Sequence, residues 1–201
     1  MRILAGQYKG RTLKLPRGLR STSDKVRAAV FNIVADAIAG SRFLDVCAGS
    51  GAIGLEALSR GAASVTWIEQ HKACCVILRE NLRRMAGERP AQPCAILCHD
   101  ALEGLRKLGR SGAQFDLIFL DPPYRDISLL KKALQAISHH AILPDTGWLI
   151  VEHERHCTVP QLVDTIEVVS QYPYGDTALS LCRRRQPFAA GPQSCQPPEF
   201  P

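Results

Sequence analysis

The chain has 201 residues, 46% hydrophobic and 22% charged, a globular balance that excludes collagen, coiled coil and wholesale disorder. No apolar run approaches the roughly 18 residues of a membrane helix, and charge returns within MRILAGQYKGR before a signal-peptide core forms, so a soluble cytoplasmic protein is expected. The net charge of +6 is unevenly spread: residues 1–27 hold eight bases against the single acid Asp24, a local +7, while the other 174 residues sum to −1. Such concentration suits a polyanion partner such as nucleic acid, with a basic arm kept for solubility as the plainer alternative.

In chain order, residues 2–5 and 11–15 alternate around Gly6-Gln7-Tyr8-Lys9-Gly10. This predicts a hairpin that packs one face and turns its bases outward. Pro16 and Gly18 end it. Thr22 or Ser23 can cap a helix whose apolar positions are Val26, Val30, Ile33, Val34 and Ala37, closed by Gly40. From there strands are predicted at 42–47, 64–68, 94–98, 115–120 and 147–151, with helices at 51–60, 71–85, near 101–108 and at 127–138 between them. Apolar strands separated by helices imply a parallel sheet covered on both faces. A short helix is predicted near 160–163. Strands at 165–170 and 178–182 then flank Tyr172-Pro173-Tyr174-Gly175-Asp176, a turn short enough to make the final pair antiparallel. Five prolines in the last 16 residues predict a disordered tail.

The expected organisation is a basic hairpin arm over 1–20, a Rossmann-like α/β domain over 21–185 and a tail over 186–201. Eight cysteines without a C-x-x-C predict buried reduced thiols. Cys94 with Cys98 and His99, and His153 with His156 and Cys157, bring ligand types together but lack a partner pair at zinc spacing, so no metal is expected.

Leu44-Asp45-Val46-Cys47-Ala48-Gly49-Ser50-Gly51-Ala52-Ile53-Gly54 spans a predicted strand-to-helix junction. Gly49, Gly51 and Gly54 satisfy G-x-G-x-x-G, and Glu69 ends the next strand as an acid for ribose hydroxyls. A nicotinamide dinucleotide fits the glycines, but Asp45 puts a carboxylate where its pyrophosphate would lie. S-adenosylmethionine has a cationic ammonium and sulfonium and no phosphate, so Asp45 favours the methyl donor. The loop Ala48-Gly49-Ser50-Gly51 would lie under that donor. Asp100, past the third strand, can accept from an adenine amino group or cap the helix that follows.

Asp121-Pro122-Pro123-Tyr124 ends the fourth strand, at the same sheet edge as the glycine loop. An exocyclic amine on a nucleobase is a poor nucleophile because its lone pair is conjugated with the ring. The Asp121 carboxylate and the Pro122 carbonyl can accept its two N–H bonds, favouring pyramidalisation and holding the nitrogen in line. Pro122 and Pro123 stiffen the loop, and Tyr124 can stack on an unstacked base. No metal and no covalent intermediate is required.

LDVCAGSGAIGLEALSRGA followed by LDPPY resembles the class I S-adenosylmethionine-dependent amino-methyltransferases. With RILAGQYKGRTLKLP, LRSTSDKVRAAVFN and YGDTALSLCR, the chain from residue 2 to about 183 resembles the RsmD family of bacterial 16S ribosomal RNA guanine-N2 methyltransferases. It departs from the family pattern at Ser21, usually proline, and Ala28, usually glutamate. The resemblance implies S-adenosylmethionine as cofactor and small-subunit ribosomal RNA, or an assembling 30S subunit, as partner, with no membrane, no metal and a monomeric state. Lys9, Arg11, Lys14, Arg20, Lys25 and Arg27 are the expected RNA contacts. The rival readings are a DNA adenine-N6 methyltransferase, a non-catalytic RNA-binding module on this fold, and an NAD-dependent oxidoreductase.

Overall fold

The computed structural model describes residues 1–16, 22–88, 90–123, 126–157 and 159–185. Arg17, Arg20, Ser21, Tyr124 and the tail over 186–201 lie outside the described residues. Among the described residues eight strands form one sheet: β1 (Arg42–Val46), β2 (Ser64–Ile68), β3 (Cys94–Leu97), β4 (Leu117–Leu120), β5 (Trp148–Glu154), β6 (Leu162–Val163), β7 (Ile166–Tyr174) and β8 (Thr177–Arg184). Their order is β3-β2-β1-β4-β5-β8-β7-β6. The first five are parallel, and β8, β7 and β6 continue antiparallel. This is a Rossmann-like α/β fold.

The helices are α1 (Asp24–Ile33), α2 (Ala52–Ser59), α3 (Lys72–Ala86), α4 (Ala101–Arg110) and α5 (Ile127–His139). Strand periodicity sorts the core into two layers. Phe43, Trp67, Phe119 and Ile150 join α1, α2 and α3 on one face. Leu44, Ile68, Leu120 and Val151 face α4 and α5 on the other. Each strand therefore buries alternate residues against different helices, as a doubly covered parallel sheet requires. None of the described helices is long and apolar enough to cross a membrane.

One expectation is refined here and two are corrected. First, the predicted hairpin forms, with Arg2 bridged to Thr12 and with the Ile3, Leu13 and Gly10 N–H groups donating to the Arg11, Met1 and Ile3 carbonyls at 3.0, 3.0 and 2.9 Å, and its turn docks on α2. The Leu4 and Ala5 N–H groups donate to the two carboxylate oxygens of Glu56, at 2.7 and 2.9 Å. The Tyr8 N–H donates to Ser59 Oγ at 3.0 Å and the Gln7 N–H to the Ser59 carbonyl at 2.8 Å. Gly6 lies so close to the Ser59 carbonyl oxygen that a Cβ would stand 1.8 Å from it. Glu56 is fully buried and also accepts from Arg60 Nε at 2.8 Å.

Second, residues 162–163 are a strand and not helix, since pairing with β7 outweighs local propensity. Third, Cys75 and Cys98 are joined as a disulfide, with Cα atoms 6.3 Å apart. The parallel crossover from β2 through α3 to β3 brings the start of that helix beside the residue after β3. Cys47, Cys74, Cys94, Cys157 and Cys182 are free thiols; Cys195 lies outside the described residues.

Candidate active site

The sheet reverses direction of winding between β1 and β4, and ligands of open α/β sheets bind beyond the carboxyl ends of the strands at that point. A cavity of about 580 Å³ opens there, and its wall includes both the glycine loop and the loop after β4.

Asp45, on β1, is 2% exposed, and its Oδ2 accepts the Gly54 N–H at 2.9 Å. Burial, opposed by that hydrogen bond and reinforced by the charge of Glu69, pushes its carboxyl up to about 7. A buried carboxylate held that high gains strongly from a cation brought beside it. Glu69 follows β2 and receives two backbone amides, Gly49 N–H on Oε2 and His71 N–H on Oε1, each at 2.7 Å. It therefore ties the glycine loop to the next strand while bordering the cavity.

Ala48, Gly49, Ser50 and Asp100 also line the cavity. Gly51 does not appear in its wall; with φ of 78° it caps α2 in the left-handed region, which favours glycine. At Gly54 a Cβ would come within 2.2 Å of Trp67 Nε1, so the third glycine is a packing requirement between α2 and β2. Asp100 does both things expected of it as alternatives: it caps α4 by accepting the Glu103 N–H at 2.9 Å, and it borders the cavity.

Asp121, Pro122 and Pro123 form the opposite wall. The Asp121 N–H donates to the Val46 carbonyl at 3.2 Å, carrying the ladder one residue past β4. The Pro123 carbonyl accepts the Asp126 N–H at 2.8 Å, and Asp126 caps α5 through the Leu129 N–H, so both ends of the loop are pinned. The Pro122 carbonyl accepts no hydrogen bond from the described residues. Tyr124, the remaining member of the expected tetrapeptide, lies outside the described residues.

The wall residues that sequence reading did not assign to the site include Cys47, Thr22, His99 and Glu152. Cys47 takes the left-handed φ of 64° as the chain leaves β1. Burial, with Asp121, Glu69, Asp45 and Asp126 around it, pushes its thiol up to about 12, so it stays protonated and is no nucleophile near neutrality. Glu152 had a visible signal. Like Asp45, Glu69 and Asp121, it follows apolar residues of a parallel strand.

The expected RNA contacts divide. Lys9 and Lys25 are exposed. Lys14 is also exposed but pairs with Glu80, while the Arg11 guanidinium donates to the carbonyls of Arg84 and Met85 at the end of α3. Arg20 lies outside the described residues. Arg27 is a correction: it is fully buried and donates to the Arg2 carbonyl and to Asp24. It shares the apolar stripe of Val30, Phe31 and Val34, so helical periodicity turns it inward. Among the described residues no group of three His, Cys, Asp or Glu is placed to hold a metal ion.

This fold, with a glycine loop, two flanking acids and an Asp-Pro-Pro loop on one cavity, defines an S-adenosylmethionine-dependent methyltransferase. The family described as Conserved hypothetical protein 95 matches residues 1–183, and the chain belongs to it. The chain is 34% identical over 186 residues to "Ribosomal RNA small subunit methyltransferase D" of Escherichia coli K12, covering 92% of this chain and 90% of that one. It is 33% identical over 187 residues to "Putative rRNA methyltransferase YlbH" of Bacillus subtilis 168, covering 92% of this chain and all of the relative. Among solved structures, "Putative methyltransferase yhhF from Escherichia coli" superimposes with a TM-score of 0.81 at 32% identity, over 93% of this chain and 99% of that one.

Proposed function

We propose that the protein methylates the exocyclic N2 amine of a guanine in small-subunit ribosomal RNA, free or in an assembling subunit. The observation that carries this reading is the meeting of the glycine loop and the Asp121-Pro122-Pro123 loop on one cavity. The RNA class comes from the relatives, two of which bear ribosomal RNA methyltransferase names.

S-adenosylmethionine supplies a methyl group on a cationic sulfur when bound. The residues present fit it: Asp45 offers a buried carboxylate to the ammonium, Glu69 an acid to the ribose, and Gly49 has open space where a side chain would intrude. On the acceptor side, the Asp121 carboxylate and the Pro122 carbonyl hold the two N–H bonds of the target amine and aim its lone pair. The N–C bond forms as the sulfonium S–C bond breaks and leaves a neutral thioether, the nitrogen then carries one proton too many, and Asp121 takes it.

Unmodified small-subunit RNA, incubated with the protein and radiolabelled donor and then digested to nucleosides, should yield N2-methylguanosine. A product of N6-methyladenosine would move the reading to the adenine methyltransferases. Donor binding with no label in RNA would leave a non-catalytic module.

A further inference from the structure

We propose that Glu152 reads the target base, accepting the guanine N1–H beside the amine held by Asp121; this rests on the guanine-N2 reading above.

Glu152 belongs to β5, the strand next to β4. The last pair of that ladder is Leu120 with Val151, so Asp121 and Glu152 follow it side by side. Their Cα atoms are thus separated by about one strand spacing, roughly 4.8 Å. Both continue the register of Phe119 and Ile150, whose side chains lie on the α1–α2–α3 face of the sheet. Glu152 is 4% exposed and borders the same cavity as Asp121. Its Oε2 accepts from Thr22 Oγ1 at 3.3 Å, so the residue just before α1 helps to aim it.

The four acids Glu69, Asp45, Asp121 and Glu152 therefore follow the strand order β2-β1-β4-β5 across one cavity. The first two flank the glycine loop, and the last two lie at the acceptor end. One carboxylate suffices for an amine, and a second beside it selects the neighbour of that amine. The Watson–Crick edge of guanine carries N1–H next to the N2 amine, two donors in a row. Adenine carries a lone pair at N1 next to its amine, which a carboxylate repels. A buried acid at this place accepts from the first and rejects the second, because an unmatched buried polar group is costly.

The test pairs a protein change with a matching base change. The methylated guanosine is first located in unmodified small-subunit RNA, and splinted ligation then places 2-aminopurine at that position. 2-Aminopurine keeps the N2 amine but has a lone pair at N1. Wild-type kcat/KM should fall on this RNA by about 10- to 100-fold relative to guanosine, the range of one specific base contact. Glu152→Gln, whose amide can donate to that lone pair, should bring the two substrates within a few-fold of each other, chiefly by losing activity on guanosine. Calorimetry should give both proteins the same donor affinity, which also reports that the variant is folded. A Glu152→Gln enzyme with the wild-type ratio of guanosine to 2-aminopurine activity overturns the assignment while leaving guanine-N2 methylation standing. A wild-type enzyme that leaves guanosine unmethylated overturns the parent reading and this one with it.

Discussion

The two halves of the cavity are built differently. On the donor side each acid is fixed by backbone amides within 20 residues of it: Asp45 by Gly54, and Glu69 by His71 and by Gly49 of the loop before it. The whole donor half fits within some 55 consecutive residues, from Asp45 to Asp100. The acceptor side is assembled from remote pieces, with Asp121 just past β4, Glu152 on β5 and Thr22 before α1, the Thr22–Glu152 contact spanning 130 residues. A self-contained half binds a ligand whatever the rest of the molecule does. A composite half responds to what happens at the N-terminal arm.

The largest expected break between the halves is at Asp121. Asp121→Asn should lower turnover on RNA by about 100- to 1000-fold, the usual loss when one aimed polar group of a reaction site is removed. Donor affinity measured by calorimetry should not move. A variant with near wild-type turnover would take Asp121 out of the chemistry.

Next is Glu56, which joins the arm to α2. Glu56→Ala leaves two backbone amides and Arg60 without their buried partner and should cost about 3 kcal/mol of stability in urea unfolding. Limited proteolysis should then cut first within residues 1–16. Unchanged stability with a protected arm would show that the clasp is dispensable.

Asp45 sharpens the donor side alone. Its carboxyl is raised well above the ordinary value of about 3.9, so the stability linked to it is present at low pH and lost as pH rises through about 7. Donor binding, which needs the charged form, should run the other way and strengthen about tenfold between pH 6 and pH 8. Asp45→Asn should bind more weakly and show neither slope. A wild-type affinity that is flat over this range would place the titration elsewhere.

The smallest effect belongs to the exposed bases. Lys9→Ala and Lys25→Ala should each reduce the slope of RNA affinity against salt by about 0.7, as for one phosphate contact on a single strand. Lys14→Ala should reduce it less, since its charge already meets Glu80. Equal slopes in all variants would make the basic segment a solubility feature.

Local residue pattern was enough for the parts built from contiguous chain. The parallel strands, the helices between them and the glycine loop all come from apolar runs and glycine spacing that short-range sterics dictate. Prediction ended β5 at residue 151 because Glu152, His153 and Glu154 look like a polar strand end. The added strand β8 covers them, with His153 Nε2 hydrogen-bonded to Ser180 Oγ at 2.8 Å, and no local signal reports that neighbour. Glu152 was lost with the boundary. The docking of the hairpin turn on α2 was missed for a related reason: the Leu4, Ala5 and Tyr8 N–H groups are taken by Glu56 and Ser59, more than 50 positions away. Arg27 was legible and misread. Charge suggested a phosphate contact, while the spacing to Val30, Phe31 and Val34 already turned it inward.

The clasp at Glu56 and Ser59 also sets an order of events during synthesis. Residues 4–8 emerge some 50 residues before the carboxylate and hydroxyl that hold them. Joining groups that far apart costs about 1.4 kcal/mol more in chain entropy than closing a ten-residue hairpin. The hairpin can therefore close on itself early, but it docks only once α2 has formed. The arm is made before α2, and it has to wait for that helix before it can be held.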